Sequence, residues 1–310
     1  MTEERTALIF PGMAPTGAAD LGRFLMINRT ARERLAVAED VLGYRLLDRA
    51  REPGAEYGEA AQVVFMLTCL SLADWAEDAL GIKPEVCAGP CFGQKAMTAY
   101  TGVLPFEEAV RLTAELSRCE ISYFSGEYSD VVTHCFVRTP EEGFSAVLAE
   151  LADEGEFHDV SGVIDRGFYL LSLRESALDH VKSRVRAVGG YSMHTMRPAV
   201  HSTFFGGLRR RAEAEVLAGF TLADPGLPVV ADQDGALLDT ADGVRRMLLD
   251  TFDRPIDWPS MVATLRAQGV TSLCFAGPDN LFHRVDSTVS NFEVRTVTPA
   301  MALTPRRRLP

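Results

Sequence analysis

Over the first 128 residues, short continuous apolar runs alternate with longer runs of helical spacing. The short runs at 6–10 and 86–88 predict buried strands, while helical patterns cover 29–42, 60–80 and 106–121. The 60–80 pattern is apolar on most faces, which predicts a buried helix. Strands that alternate with helices in this way predict an α/β fold with a mainly parallel sheet covered on both sides.

The pattern changes near residue 129. Strands are predicted at 130–137, 157–164, 167–173 and 191–196, with helices at 140–154 and 176–188. This β-α-β-β-α-β order is typical of a ferredoxin-like unit. After residue 197 the first pattern resumes, with helices at 203–217, 243–251 and 261–268 and strands at 229–231 and 271–275. We therefore expect a discontinuous large subdomain (1–128 and 198–297), an inserted small subdomain (129–197) and a flexible tail (298–310).

Composition narrows the class of protein. A chain of 310 residues suits two domains, or one large domain with an insertion. No apolar run reaches the roughly 18 residues of a transmembrane helix, and the charged N-terminus lacks the apolar stretch of a secretory signal. We therefore expect a cytoplasmic protein whose six irregularly spaced cysteines are reduced thiols without zinc-site spacing. The net charge of −12 argues against a nucleic-acid partner.

Residues 88–94 read Ala-Gly-Pro-Cys-Phe-Gly-Gln, between the predicted strand at 86–88 and a helical run. The G-x-C-x-G form is that of a nucleophile elbow, in which a sharp turn presents one side chain at a helix N-terminus. Helix N–H groups favour negative charge there, so we expect a lowered pKa for the Cys91 thiol and support for an adjacent oxyanion. A buried cysteine in a glycine-rich turn remains the alternative.

A cysteine nucleophile needs a base, and His201 is the strongest of six histidines. It directly follows the predicted insertion, where a cleft between subdomains would form. Asp257 is a candidate to orient its second ring nitrogen and to favour a Cys91 thiolate. The alternative is that Asp257 is an ordinary helix N-cap.

Several motifs, in order along most of the chain, resemble the malonyl-CoA:acyl-carrier-protein transacylase family and the acyltransferase domains of polyketide synthases. The opening Phe10-Pro11-Gly12-Met13 resembles the family's F-P-G-Q loop, Gln62 its T-Q-P segment, and residues 89–94 its G-H-S-x-G-E elbow. The later matches are His201-Ser202 for H-S, Arg254-Pro255-Ile256-Asp257-Trp258 for N-P-V-Q-W, and residues 277–281 for G-P-x-x-x-L.

The resemblance implies an α/β-hydrolase-like large subdomain with a ferredoxin-like insertion, and a ping-pong acyl transfer between phosphopantetheine thiols. It implies Cys91 as nucleophile, His201 as general base, and an oxyanion hole from the backbone N–H groups of Met13 and Phe92. The substrate would be an acyl-CoA or acyl-carrier-protein thioester, with no bound cofactor. An acyl carrier protein or polyketide synthase would be the partner, in polyketide-type specialised metabolism.

Four departures from the family pattern bear on the substrate. Cys91 replaces serine, so the acyl-enzyme would be a thioester, and Pro90 and Gln94 replace the elbow histidine and glutamate. The arginine that clamps a malonyl carboxylate has Thr113 in its place, and Val200 stands where malonyl-selective members have phenylalanine. An unpartnered buried carboxylate is costly, so we expect an uncharged acyl group. The expected lining residues are Met13, Gln62, Thr113, Val200, Phe204 and Phe205.

The residues leave several molecules open as the acceptor of the acyl group. Arg209, Arg210 and Arg211 follow His201 by two helical turns and could dock an acidic carrier, or could be a solvated helix face. An acyl-thioester hydrolase and a catalytically weak carrier-binding scaffold are the alternative functions. Transfer to a small-molecule hydroxyl or amine also stays open.

Overall fold

The computed structural model describes residues 5–13, 18–126, 128–278 and 281–304. The strands are β1 (Thr6–Ile9), β2 (Pro84–Ala88), β3 (Val131–Val137), β4 (His158–Asp165), β5 (Phe168–Arg174), β6 (Tyr191–Met196), β7 (Val229–Val230), β8 (Leu237–Leu238), β9 (Ile256–Asp257), β10 (Ser272–Ala276) and β11 (Glu293–Val297). The helices are α1 (Ala18–Ile27), α2 (Arg29–Leu42), α3 (Leu46–Arg49), α4 (Glu59–Leu80), α5 (Gly93–Tyr100), α6 (Phe106–Phe124), α7 (Glu141–Asp153), α8 (Leu178–Ala187), α9 (Gly206–Glu215), α10 (Ala241–Asp253), α11 (Trp258–Ala267), α12 (Asp286–Val289) and α13 (Pro299–Leu303).

The large sheet has the order β11-β10-β1-β2-β7-β8, and only β8 runs antiparallel to its neighbour. The predicted mainly parallel sheet is confirmed. The two edge strands were not predicted from the sequence, since β8 has only two residues and β11 is largely half-exposed and lacks an apolar run. Helix α4 is buried on most of its faces, as its composition predicts.

The small subdomain is a ferredoxin-like unit, as predicted. Its strands lie in the order β6-β3-β5-β4 and pair antiparallel, and α7 and α8 connect them in the expected sequence. Strand β9 from the large subdomain adds to this sheet, parallel to β4, with Gly162 opposite Ile256. The two subdomains therefore share a sheet, which brings the segment around Arg254 against the cleft between them.

The segment predicted as a flexible tail begins with a helix. Thr298 caps α13 by accepting from the Met301 N–H, and α13 packs against α1 and α4. Residues 305–310 lie outside the described residues, so their flexibility stays a prediction. Among the described residues, no helix is long and apolar enough to span a membrane. No group of three or more acidic, histidine or cysteine side chains there could hold a metal ion.

Candidate active site

Cys91 lies in a tight turn between β2 and α5, with a backbone φ of 55°. The flanking glycines make this turn possible. A Cβ on Gly93 would lie 1.9 Å from the Phe10 carbonyl oxygen, and one on Gly89 would lie 2.5 Å from the Gly93 carbonyl carbon. No side chain fits at either position, so the G-x-C-x-G spacing is required by the close approach of β1 and α5. The predicted strand–turn–helix is confirmed.

A buried carboxylate, Asp232, lies directly behind this turn. It follows β7, which runs parallel to β2, so the two strands end side by side. Asp232 accepts the Cys91 N–H at 2.7 Å and the Gln94 Nε2–H at 2.5 Å. Burial raises the pKa of Asp232 to about 7. Gln94, which stands where the related family has glutamate, thus supplies a donor that a second carboxylate could not.

The surroundings of the Cys91 thiol favour its protonated form. Burial raises its pKa to about 12, and the Asp232 charge acts in the same direction. The Phe92 backbone N–H donates to the sulfur and lowers the pKa, but with less effect than burial. The expectation of a lowered thiol pKa was therefore wrong, because desolvation at this turn outweighs the donors of the helix N-terminus.

His201 lines the same cavity as Cys91. Its backbone N–H bonds the Thr251 carbonyl at 3.0 Å, and its Nδ1 lies 3.3 Å from the Arg254 carbonyl oxygen. A carbonyl only accepts, so Nδ1 carries the proton and Nε2 carries the lone pair. Nε2 is buried and has no hydrogen-bond partner among the residues that the structure describes. Burial lowers the pKa of His201 to about 4, so the ring is a neutral base at physiological pH.

Asp257 does not orient His201. Its carboxylate accepts the Ser260 N–H at 3.0 Å and the Ser260 hydroxyl at 2.6 Å, which makes it the N-cap of α11. The assignment of Asp257 as a catalytic residue is corrected, and the N-cap alternative is right. The orienting group is the Arg254 carbonyl, three residues earlier, because β9 turns this backbone towards the cleft.

The main cavity lies between the two subdomains. Cys91, His201, Met13, Phe92 and Val200 line it from the large subdomain, while Thr133 and Ser161 line it from the small one. The loop after β1 lies against the elbow, since a Cβ on Gly12 would be 3.4 Å from the Cys91 Cβ. Met13 and Phe92 thus line the same cavity as Cys91, and their role as an oxyanion hole stays a prediction.

A second, narrower cavity shares Cys91, Phe92 and Val200 with the first. Its remaining lining residues are Gln94, Lys95, Leu116, Glu120, Leu248, Thr251 and Phe252. No arginine is among them. Helix α6, on which the family resemblance places a carboxylate clamp, contributes Leu116 and Glu120 to this cavity.

Three residues expected to line the substrate site lie elsewhere. Thr113 is buried between α4 and α6, where its hydroxyl bonds the Ala109 carbonyl at 2.7 Å and the Met66 sulfur at 3.2 Å. Phe204 is half-exposed and packs on Phe157, and Phe205 is buried in an aromatic cluster. The family motif was therefore placed about one turn too early on α6. Leu116, three residues after Thr113, is the residue that lines the second cavity.

Gln62 supports the second cavity from behind. Its Nε2 donates to the Tyr57 carbonyl at 3.2 Å and to Glu120 at 3.1 Å, and its Oε1 accepts from Lys95 at 2.7 Å. It lines neither cavity, so its predicted substrate contact is corrected to a positioning role.

The arginine run on α9 is mostly neutralised. Arg209 pairs with Asp250 and Asp253, and Arg211 pairs with Glu215 at 2.8 Å. Arg210 is exposed. Two of the three charges are thus already balanced by acids, so the expected basic docking patch is reduced to Arg210, whose role stays a prediction.

Three polar residues of the site, Asp232, Lys95 and Glu120, were not predicted from the sequence, although each carries a signal there. Asp232 ends a parallel strand, the place where α/β sheets build sites. Glu120 continues the buried stripe of Leu112 and Leu116 at four-residue spacing, where a carboxylate needs a partner. Lys95 lies on α5, one turn after Cys91.

Residues 135–196 match the family model described as the VinK acyltransferase small domain. The malonyl CoA-acyl carrier protein transacylase of Salmonella typhimurium is 23% identical over 280 residues, covering 88% of each chain. The Escherichia coli K12 transacylase is also 23% identical, over 281 residues.

Solved structures agree in fold. The acyl-carrier-protein S-malonyltransferase of Burkholderia pseudomallei gives a TM-score of 0.81 at 19% identity, covering 96% of this chain and 98% of that one. A malonyl-transacylase in complex with a type II PKS acyl-carrier protein gives 0.79 at 20% identity, covering 95% and 96%. The chain therefore has the fold of these malonyl transacylases, and its small subdomain matches the VinK acyltransferase small domain.

Proposed function

We propose that this protein transfers an uncharged acyl group between phosphopantetheine thiols through a thioester on Cys91. One observation carries the proposal: Cys91 and His201 line one cavity between the subdomains, and the buried His201 Nε2 has no hydrogen-bond partner within the described ranges of the chain. A neutral imidazole with a free lone pair is the base that a protonated thiol needs.

Transfer proceeds in two matched halves. As the Cys91 sulfur attacks the donor thioester carbonyl, the thiol proton passes to His201 Nε2. The Met13 and Phe92 N–H groups stabilise the resulting oxyanion. Collapse of the tetrahedral intermediate breaks the donor C–S bond, and the departing thiolate takes the proton from His201. An acceptor thiol then reverses these steps, so a thioester is broken and a thioester is formed in each half.

The charges around the sulfur support an uncharged acyl group. The second cavity presents Leu116 and Val200, and Lys95, the one cation among its described lining residues, is accompanied by Glu120. Arg197 lines the main cavity, but its guanidinium contacts Glu175 at 2.8 Å and the Val131 carbonyl at 3.4 Å. A buried carboxylate that gains no free cation is disfavoured by several kcal/mol.

An acyl carrier protein of a polyketide-type pathway in the cytoplasm is the proposed partner. A groove lined by Ile121, Phe124 and Tyr128 shares Tyr57 and Arg197 with the main cavity, so a flexible arm could reach Cys91 along it. The structural relative in complex with a type II PKS acyl-carrier protein supports this choice.

Intact-protein mass spectrometry tests the proposal directly. The protein is incubated with butanoyl, benzoyl and malonyl thioesters of CoA and of a carrier protein. We expect butanoyl or benzoyl adducts that Cys91→Ala abolishes and that Cys87→Ala, a change at a buried thiol on β2, retains. Adducts that persist in Cys91→Ala would remove the nucleophile assignment, and preferential malonyl loading would overturn the substrate class. Free acid produced faster than acyl-carrier would favour a hydrolase.

A further inference from the structure

Two opposite charges are buried side by side in the second cavity. The Lys95 side chain is 8% exposed and the Glu120 side chain 2% exposed, with Nζ 3.4 Å from Oε1. Gln62 bridges them, accepting from Lys95 at 2.7 Å and donating to Glu120 at 3.1 Å. The pair is thus held in place from the side away from the cavity.

Both charges act on the catalytic groups. Lys95 lowers and Glu120 raises the pKa of the Cys91 thiol, and Lys95 also lowers the pKa of His201. The Lys95 ammonium lies 4.7 Å from the centre of the Phe92 ring, and the Phe92 N–H donates to the sulfur. An acyl group on Cys91 would therefore lie within the field of this pair.

We infer that Glu120 is a specificity-determining residue, which excludes acidic acyl groups by neutralising Lys95, the cation that would otherwise bind their carboxylate. The inference rests on the proposed function, because it assigns the selectivity of the proposed acyl transfer to one charge.

The balance of charge explains the selectivity. The Lys95–Glu120 ion pair leaves this cavity wall with balanced charges, so an entering carboxylate would meet both an engaged ammonium and a like charge in a region of low dielectric. An uncharged chain meets neither penalty. Thr251, whose buried hydroxyl has no partner in the described part of the chain, adds polarity to this wall without charge.

Glu120→Gln is the decisive variant, because it keeps the shape and an acceptor for Gln62 but leaves Lys95 without a counter-charge. Its matched control is Glu115→Gln, the same change on the same helix at a position that faces Arg111 and lies outside the cavity. Initial rates of malonyl and butanoyl loading from CoA are measured by intact mass. We expect the malonyl-to-butanoyl ratio to rise at least tenfold in Glu120→Gln and to stay at the wild-type value in Glu115→Gln.

A double variant separates charge from packing. Lys95→Met combined with Glu120→Gln removes the cation as well, so the malonyl gain must disappear. If Glu120→Gln does not fold, Glu120→Leu removes the same charge and carries the same expectation. An unchanged ratio in a folded Glu120 variant would overturn this inference alone. Failure of the wild-type protein to load any uncharged acyl group would instead remove the proposed function.

Discussion

The protonation state of Cys91 can be tested by its alkylation rate as a function of pH. Burial raises the pKa of this thiol to about 12, whereas an ordinary cysteine has a pKa of about 8.5. Only the thiolate reacts with iodoacetamide. Between pH 8 and 10 the thiolate fraction of Cys91 should therefore rise about 100-fold, against about fourfold for an ordinary thiol.

The perturbation that completes the test is His201→Ala. A neutral imidazole lends no charge to a thiolate, so this variant should leave the alkylation rate at pH 8 within about twofold of wild type. The same variant removes the proposed general base for acyl transfer and should lower the acyl-loading rate by about 100-fold or more. A cysteine–imidazolium ion pair would behave differently, because loss of His201 would then slow alkylation as well.

The assay follows carbamidomethylation of the Cys91 peptide after quenched reaction with iodoacetamide at pH 6 to 10. The denatured protein serves as the reference for an ordinary thiol, and circular dichroism confirms the fold at each pH. A Cys91 rate that levels off below pH 9, or that drops tenfold in His201→Ala at pH 8, would refute the neutral thiol–imidazole pair and restore the ion-pair interpretation.

Two further predictions address the fold around the site. Asp257→Ala removes the N-cap of α11, so urea unfolding should show a loss of about 1 kcal/mol with acyl loading unchanged; a large loss of loading would reinstate Asp257 as a catalytic residue. Gly93→Ala places a methyl group 1.9 Å from the Phe10 carbonyl oxygen and should abolish the folded protein or acyl loading, whereas Gly219→Ala meets nothing within 4 Å and should retain both. A thermally stable, active Gly93→Ala protein would show that the elbow is looser than described.

Local features were predictable because they depend on short stretches of chain. The elbow could be recognised from two glycines around Cys91, since close backbone approach excludes any side chain there. The ferredoxin-like unit could be recognised from the order of its strands and helices, which alternate in apolar periodicity between residues 130 and 196. The sequence did not determine which turn of α6 faces the second cavity, because neighbouring turns of this helix carry similar residues. The assignment of Thr113 to the cavity was wrong for that reason.

Only the tertiary structure decided the chemistry of the site. The partner of His201 is a backbone carbonyl, which no residue type announces, and Asp232 reaches the elbow because β7 lies beside β2. Lys95 on α5 forms an ion pair with Glu120 on α6. The sequence by itself therefore determined the fold class and predicted Cys91 and His201 as candidate nucleophile and base. The pKa shifts of these two residues and the charge of the second cavity depend instead on burial and on neighbours distant in the chain, because desolvation and Coulomb interactions depend on distances in space.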